Sequence, residues 1–348
     1  MQVWRTGSRL LGPFLPVELN ARLASRRYRD GMAGRMSLNR SGGFAMYVAF
    51  DEWTGRRSIA SFGTNAGSEE LPFQSWRNFK EAYAPELVER AVMESKIPVQ
   101  RALDPFGGSG TTALACQFLG VLPTTVEVNP FLADLIEAKL CQYDADALAR
   151  DLGLIASRAE ENESAAILRL AGLPPTFVEP GLNNRWIFDR AIAIRVAALL
   201  DAVESLSDTK HRRLFKVLLG GVLIDVSNVV VSGKGRRYRR HWESRGRNAS
   251  SVDEAFFSSA RAAIGDIHSY ANRRETHYTL VRGDARTAVK EGKWDLALFS
   301  PPYPNSFDYT DVYNVELWAL GYLKSYDANR RLREATLSSH VQVSRSFV

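Results

Sequence analysis

The stretch Leu103-Asp104-Pro105-Phe106-Gly107-Gly108-Ser109-Gly110-Thr111-Thr112 decides how this chain is read. A short apolar run ends in a carboxylate, a glycine-rich turn follows, and a helical pattern continues to about Leu119. Gly108 and Gly110 let the backbone come close to a ligand where a Cβ would collide. Thr111 and Thr112 open a helix whose free N–H groups favour negative or electron-rich groups. Working outward, Gly120 is a natural end for that helix, and Thr124-Thr125-Val126-Glu127-Val128 reads as a second strand ending in a carboxylate. Asp104 to Glu127 is close to the roughly 20-residue spacing at which an acidic residue meets ribose hydroxyls in nucleotide-binding βαβ units. Asn129-Pro130 then turns the chain into another helix. Upstream, Pro85 suits the first position of a helix with Leu87, Val88, Ala91 and Val92 on one face.

The strand–helix alternation lapses after about residue 140. The patterns Ala147 to Leu173, Trp186 to Leu206, Leu214 to Val226 and Val252 to Tyr270 read mainly as helices. Between the last two lies a basic stretch, residues 232–248, in which seven Lys/Arg face one acid. Lys234, Arg236, Arg237, Arg239 and Arg240 suit a phosphate backbone, and Tyr238, His241 and Trp242 could stack or wedge at an extruded base. Its glycines predict a mobile loop. Alternation resumes with a strand ending at Gly283-Asp284-Ala285. A final apolar run, Trp294 to Phe299, ends in Ser300-Pro301-Pro302-Tyr303.

Together the glycine turn and this tetrapeptide resemble the F-x-G-x-G and S-P-P-Y motifs of the amino-group DNA methyltransferases. The resemblance covers residues 75 to 140 and 212 to 345, with the cofactor motifs first and the catalytic motif last. It implies an α/β fold, a Rossmann-like class I methyltransferase sheet carrying a mainly helical insertion. S-adenosylmethionine is the implied cofactor, held by Asp104, Pro105, Phe106, Gly108, Gly110, Thr111, Thr112, Glu127 and Asn129, with Asp284 at its adenine. A strand-terminal Asp can equally be a helix N-cap. Ser300, Pro301, Pro302 and Tyr303 are the implied catalytic residues. An exocyclic amine is a poor nucleophile because its lone pair is delocalised into the ring. Ser300 Oγ and the Pro301 carbonyl can accept its hydrogens, the prolines fix the acceptors, and Tyr303 can stack on the turned-out base. Within the resemblance, serine rather than aspartate at position 300 is more usual among N4-cytosine enzymes than N6-adenine ones, which implies N4 of cytosine before N6 of adenine. Cytosine C5 chemistry is disfavoured, because it needs a nucleophilic cysteine, typically after proline, and Cys116 and Cys141 follow Ala115 and Leu140.

These motifs divide the chain into a partly disordered, Arg-rich arm (1–70), a first methyltransferase part (71–140), a helical insertion carrying the candidate DNA-recognition region (141–275) and a second methyltransferase part (276–348). Residues 46–75 read as short strand or loop pieces. Only four sheet strands can be placed, ending at Leu103, Val128, Asp284 and Phe299, where the family has about seven. Truncation, a second polypeptide completing the sheet, or replacement of strands by the insertion would each account for that. A bare edge at the fourth strand would expose apolar surface and unpaired backbone. The expected partner is double-stranded DNA, in restriction–modification or a related defence system. RNA methylation and a truncated, inactive nucleic-acid-binding remnant are the rival expectations. The net charge of +6 and a pI of about 9.3 allow an anionic partner. Two cysteines in apolar contexts fit a reducing, cytoplasmic setting. No apolar run approaches the roughly 20 residues that span a bilayer, and neither membrane nor metal is expected.

Overall fold

The computed structural model describes residues 2–4, 43–161, 163–232, 235–246, 248–273, 277–289, 291–302 and 309–336. Its elements in chain order begin with β1 (Gln2–Trp4), α1 (Gly43–Thr54), α2 (Glu86–Met93) and β2 (Arg101–Asp104). The glycine turn leads into α3 (Thr111–Leu119), β3 (Leu122–Glu127) and α4 (Pro130–Leu140). A helical region follows, α5 (Ala145–Glu161), α6 (Glu163–Leu170), α7 (Arg190–Glu204) and α8 (Thr209–Val226). A hairpin of β4 (Val229–Ser232) and β5 (Gly235–Tyr238) precedes α9 (Ala249–Ser269). The chain then returns to the sheet through β6 (Thr279–Arg282), α10 (Ala285–Ala288) and β7 (Leu296–Phe299). It continues in α11 (Tyr309–Val312), α12 (Asn314–Ala319) and α13 (Tyr326–Ala335).

The central sheet has the order β1-β7-β2-β3-β6. β7, β2, β3 and β6 are parallel, a Rossmann-like arrangement that puts the carboxyl ends of all four at one edge. The four expected strands are these four. Their register brings the two motifs together, since Leu103 pairs with Ala297. Asp295 Oδ2 accepts from the Gln100 and Arg101 N–H groups, both at 2.9 Å, and so locks the start of β2 to the start of β7. The outer edge of β7 is not bare: Gln2–Trp4 pairs with it antiparallel, from Gln2 opposite Phe299 to Trp4 opposite Ala297.

Two other expectations are corrected. Residues 43–54 form a helix rather than strand or loop pieces, because Trp53 is buried flat on Phe118, ring centroids 4.5 Å apart. Within the basic stretch, Gly235–Tyr238 form a strand paired antiparallel with Val229–Ser232 where a loop was expected. Residues 309–319 form two short helices, α11 and α12, broken at Tyr313. The helical region shares one core with the sheet. Gly220 on α8 leaves so little room that a Cβ would come within 2.4 Å of Phe131 on α4 and 2.8 Å of Leu320.

The glycine turn has a similar constraint. A Cβ on Gly107 would lie 2.4 Å from Thr125 Cγ2 and 2.8 Å from Ile136 Cδ1, between β3 and α4. Gly107→Ala is therefore expected to cost about 1–3 kcal/mol through overpacking, measured as a lower midpoint in chemical denaturation.

Candidate active site

At the carboxyl edge of the sheet, one cleft of about 1050 Å³, counting its open mouth, is lined by both motifs. That size suits a nucleoside-sized ligand. Asp104, Pro105, Phe106, Gly108, Thr111, Thr112, Glu127, Asn129 and Asp284 line it, and so do Ser300, Pro301 and Pro302. Gly110 stands behind it, in the left-handed conformation at φ +81° that caps α3. Tyr303 lies outside the described residues. The rings of Phe106 and Phe299 meet at 5.5 Å between centroids, so the glycine turn and the end of β7 touch directly.

Each carboxylate at this edge is held by its neighbours. Asp104 accepts from the Phe106 N–H at 3.0 Å and from Thr112 Oγ1 at 2.6 Å, while the Tyr83 hydroxyl bonds Thr112 in turn. Burial pushes the Asp104 pKa up to about 6 against those hydrogen bonds. Glu127 accepts from the Gly108 N–H at 2.7 Å and the Asn129 N–H at 2.8 Å. It is 8% exposed, and burial pushes its pKa up to about 7 despite those donors. Asn129 Oδ1 accepts from the Phe131 and Leu132 N–H groups and so starts α4. Asp284 is a helix N-cap, accepting from the Arg286 N–H at 2.9 Å, and is also gripped by the Arg286 guanidinium at 2.6 Å. The Arg286 hydrogen bond holds its carboxyl below the usual range.

Below the turn, Lys139 is completely buried and donates to the Ser109 carbonyl and to Gln74 Oε1, both at 2.8 Å. Gln74 donates to Thr111 Oγ1 at 3.3 Å, so the turn and the first residue of α3 share one network. Motif spacing missed the opposite wall. Phe79 packs over Gly108, whose Cβ would meet it at 3.1 Å, and stacks on Tyr313 at 5.9 Å. Phe79, Glu81, Tyr83 and Tyr313 all line the cleft. The available signal was the aromatic-rich segment before Pro85, which periodicity alone does not connect to Tyr313.

The basic hairpin divides into two kinds of residue. Arg239 is spent on structure, donating to the Ile224 carbonyl at 2.7 Å and the Ser227 carbonyl at 3.2 Å. Arg236 lies 3.8 Å from Asp311 on α11, tying the hairpin to the first described helix after Ser300-Pro301-Pro302. Trp242 is 8% exposed, packed against Trp186 and Tyr238, which corrects its placement as an available wedge. Arg237 and Arg240 are exposed. Lys234 lies outside the described residues. Among the described residues no cluster of His, Cys, Asp and Glu could hold a metal ion, and no helix is long and apolar enough to cross a membrane.

The chain is similar to type II methyltransferases. It is 23% identical to the type II methyltransferase M.BsoBI of Geobacillus stearothermophilus over 332 residues, 85% of this chain and 61% of the relative. It is 24% identical to the type II methyltransferase M.AvaI of Nostoc sp. over 291 residues, 76% of this chain and 57% of that protein. A shorter match, 32% over 74 residues, links it to the type II methyltransferase M.MjaII of Methanocaldococcus jannaschii. The chain thus spans about three-fifths of the length of the first two relatives. No protein-family profile matches it.

Proposed function

We propose that this chain transfers a methyl group from S-adenosylmethionine to an exocyclic amino group in double-stranded DNA, N4 of cytosine before N6 of adenine, as part of restriction–modification. The observation that carries this is the contact of Phe106 with Phe299, which joins the glycine turn and Ser300-Pro301-Pro302 in a single cleft. The relatives named type II methyltransferases support the same chemistry.

The residues present fit the cofactor. Glu127 keeps spare lone pairs for ribose hydroxyls beyond its two backbone donors. Gly108 stands at φ +54°, where a Cβ would also come 3.1 Å from the Phe79 ring, so glycine is favoured and backbone itself lines the cleft. Arg286 keeps Asp284 ionised but donates to both of its oxygens, so Asp284 would accept from an adenine amino group in place of part of the Arg286 guanidinium. When bound, the cofactor supplies an electrophilic methyl on a sulfonium. Ser300 Oγ and the Pro301 carbonyl accept hydrogen bonds from the target amine and favour its pyramidal, nucleophilic form. Pro301 and Pro302 fix the φ angles of that turn, so the acceptors keep their positions. Tyr303 would stack on the extruded base. Arg237 and Arg240 would meet phosphates.

Radiolabelled methyl transfer to a duplex DNA and to an RNA of matching sequence tests this. Label in the duplex is expected; label in RNA alone would favour an RNA methyltransferase. No cofactor binding by calorimetry would favour the inactive remnant.

The pH dependence follows from Glu127. Ribose hydroxyls bind the carboxylate better than the carboxylic acid, so cofactor affinity is expected to rise with pH through about 7 and level off above it. The ligand-free protein runs the other way. Between the ordinary glutamate value of 4.5 and about 7 the folded chain holds a proton that the unfolded chain releases, so this group's contribution to stability falls as pH rises across that window. Calorimetric titration from pH 6 to 8 and denaturation over the lower range check the two signs.

A further inference from the structure

The Leu182–Arg185 turn, which the motifs do not include, lies beside the basic hairpin. Leu182 and Arg185 exchange both backbone hydrogen bonds, each at 3.1 Å, around Asn183 and Asn184 at φ +53° and +55°. Asparagine is one of the few side-chain-bearing residues that adopts this left-handed conformation readily. The turn is held rather than loose. The Arg185 guanidinium lies over the Tyr238 ring at 5.8 Å, and Tyr238 leans on Trp242, which meets Trp186 edge-on. Gly181 lets the chain pass so close to the Arg185 carbonyl that a Cβ would sit 2.0 Å from it.

Asn183, Asn184 and Arg185 are exposed, and among the described residues no protein group hydrogen-bonds the two asparagine side chains. They share a groove with Arg237 and Glu243, while Arg237 also borders a second groove, which it lines with Arg239, Arg240 and Arg245 and no acid. The chemistry of the two grooves differs. Exposed arginines suit phosphates, whereas neutral amides gain little from them, and the Glu243 carboxylate in the same groove repels them. An amide offers a donor and an acceptor together, the pair that matches N7 and N6 of adenine in the major groove, and Arg185 matches guanine. A two-residue turn is narrow enough to enter a groove about 12 Å wide.

We propose that the Leu182–Arg185 turn reads base edges of duplex DNA, with Asn183 and Asn184 as the specificity-determining residues and Arg237 and Arg240 as phosphate contacts. This deepens the DNA methyltransferase reading and rests on it.

The test uses the full chain and a pool of randomised duplexes, selected for binding and sequenced. Asn183→Gly/Asn184→Gly removes both amides yet keeps a turn that accepts positive φ. The double variant is expected to lose about tenfold in its preference for the selected duplex over a scrambled one, confined to one or two adjacent base pairs. Its binding to the scrambled duplex stays unchanged. Arg237→Gln/Arg240→Gln is expected instead to weaken all duplexes alike and to lower the salt slope by about 1–2. An unchanged preference in the double glycine variant, or an equal loss on every duplex, overturns the assignment. Wild-type binding without any sequence preference also overturns it, while methyl transfer to that DNA would leave the proposed activity standing. Wild-type protein that neither binds nor methylates duplex DNA takes down both.

Discussion

Replacing Ser300 with alanine is expected to slow methyl transfer by about 100-fold, the usual scale for losing one preorganised hydrogen bond in a transition state. S-adenosylmethionine affinity should stay within about twofold, because the loss falls on turnover and not on ground-state binding. The separation follows from the fold. Ser300 sits at the end of β7, whereas Glu127 ends β3 and Asp284 follows β6, so the proposed amine acceptors and the proposed cofactor acceptors belong to different strands of one edge. Calorimetry and single-turnover methylation measured on the same preparation check it. A large loss of cofactor affinity would move Ser300 out of the catalytic role.

Arg77→Met is expected to cost about 3–5 kcal/mol of stability, since it leaves a buried carboxylate without its counter-charge. Arg77 Nη2 donates to Glu316 Oε1 at 2.6 Å, and Glu316 is fully buried. Burial alone would lower the Arg77 pKa, and the charge and hydrogen bond of Glu316, together with Tyr313 and Asp225, more than offset it. Burial leaves Glu316 above the ordinary carboxylate range even with Arg77 beside it. The pair is imperfectly satisfied: Arg77 Nε and Glu316 Oε2 find no hydrogen-bond partner among the described residues. Replacing both partners with apolar residues, Arg77→Met with Glu316→Leu, is therefore expected to recover most of the loss. The clamp joins the segment carrying Phe79 to the helix following Tyr313, so the single variant should also bind cofactor more weakly. Denaturation of the single and double variants measures the coupling. A single variant within about 1 kcal/mol of wild type would mean that the pair holds nothing.

The parts of the site legible in the sequence are those made by neighbours in the chain. The strand–turn–helix around Gly108, the Asn129 cap and the strand ends at Glu127 and Ser300 are each local in their chemistry, and parallel strands align such ends at one edge. Whatever depends on distant partners was hidden. Arg77 and Glu316 are 239 residues apart, and no spacing rule links them. Helix α1 carries apolar residues on most of its faces, so periodicity gave no helical stripe, and the burial of Trp53 depends on Phe118 and Pro72, which lie well downstream. The basic stretch suggested a loop because its glycines and charges are loop-like. The hairpin that forms is held by Trp186 and Asp311, which come from elsewhere in the chain. Asp284 was legible as an acid at a strand end, while its capture by Arg286 was not used.

The central claim is that the glycine turn and Ser300-Pro301-Pro302 form one site that places a methyl donor against an exocyclic amine. Nucleoside mass spectrometry after incubation with isotopically labelled S-adenosylmethionine and duplex DNA tests it most directly. Labelled N4-methylcytosine is the expected product. Labelled N6-methyladenine would keep the site and change its base, whereas label only on C5 of cytosine, or no labelled nucleoside from protein that binds the cofactor, would contradict it.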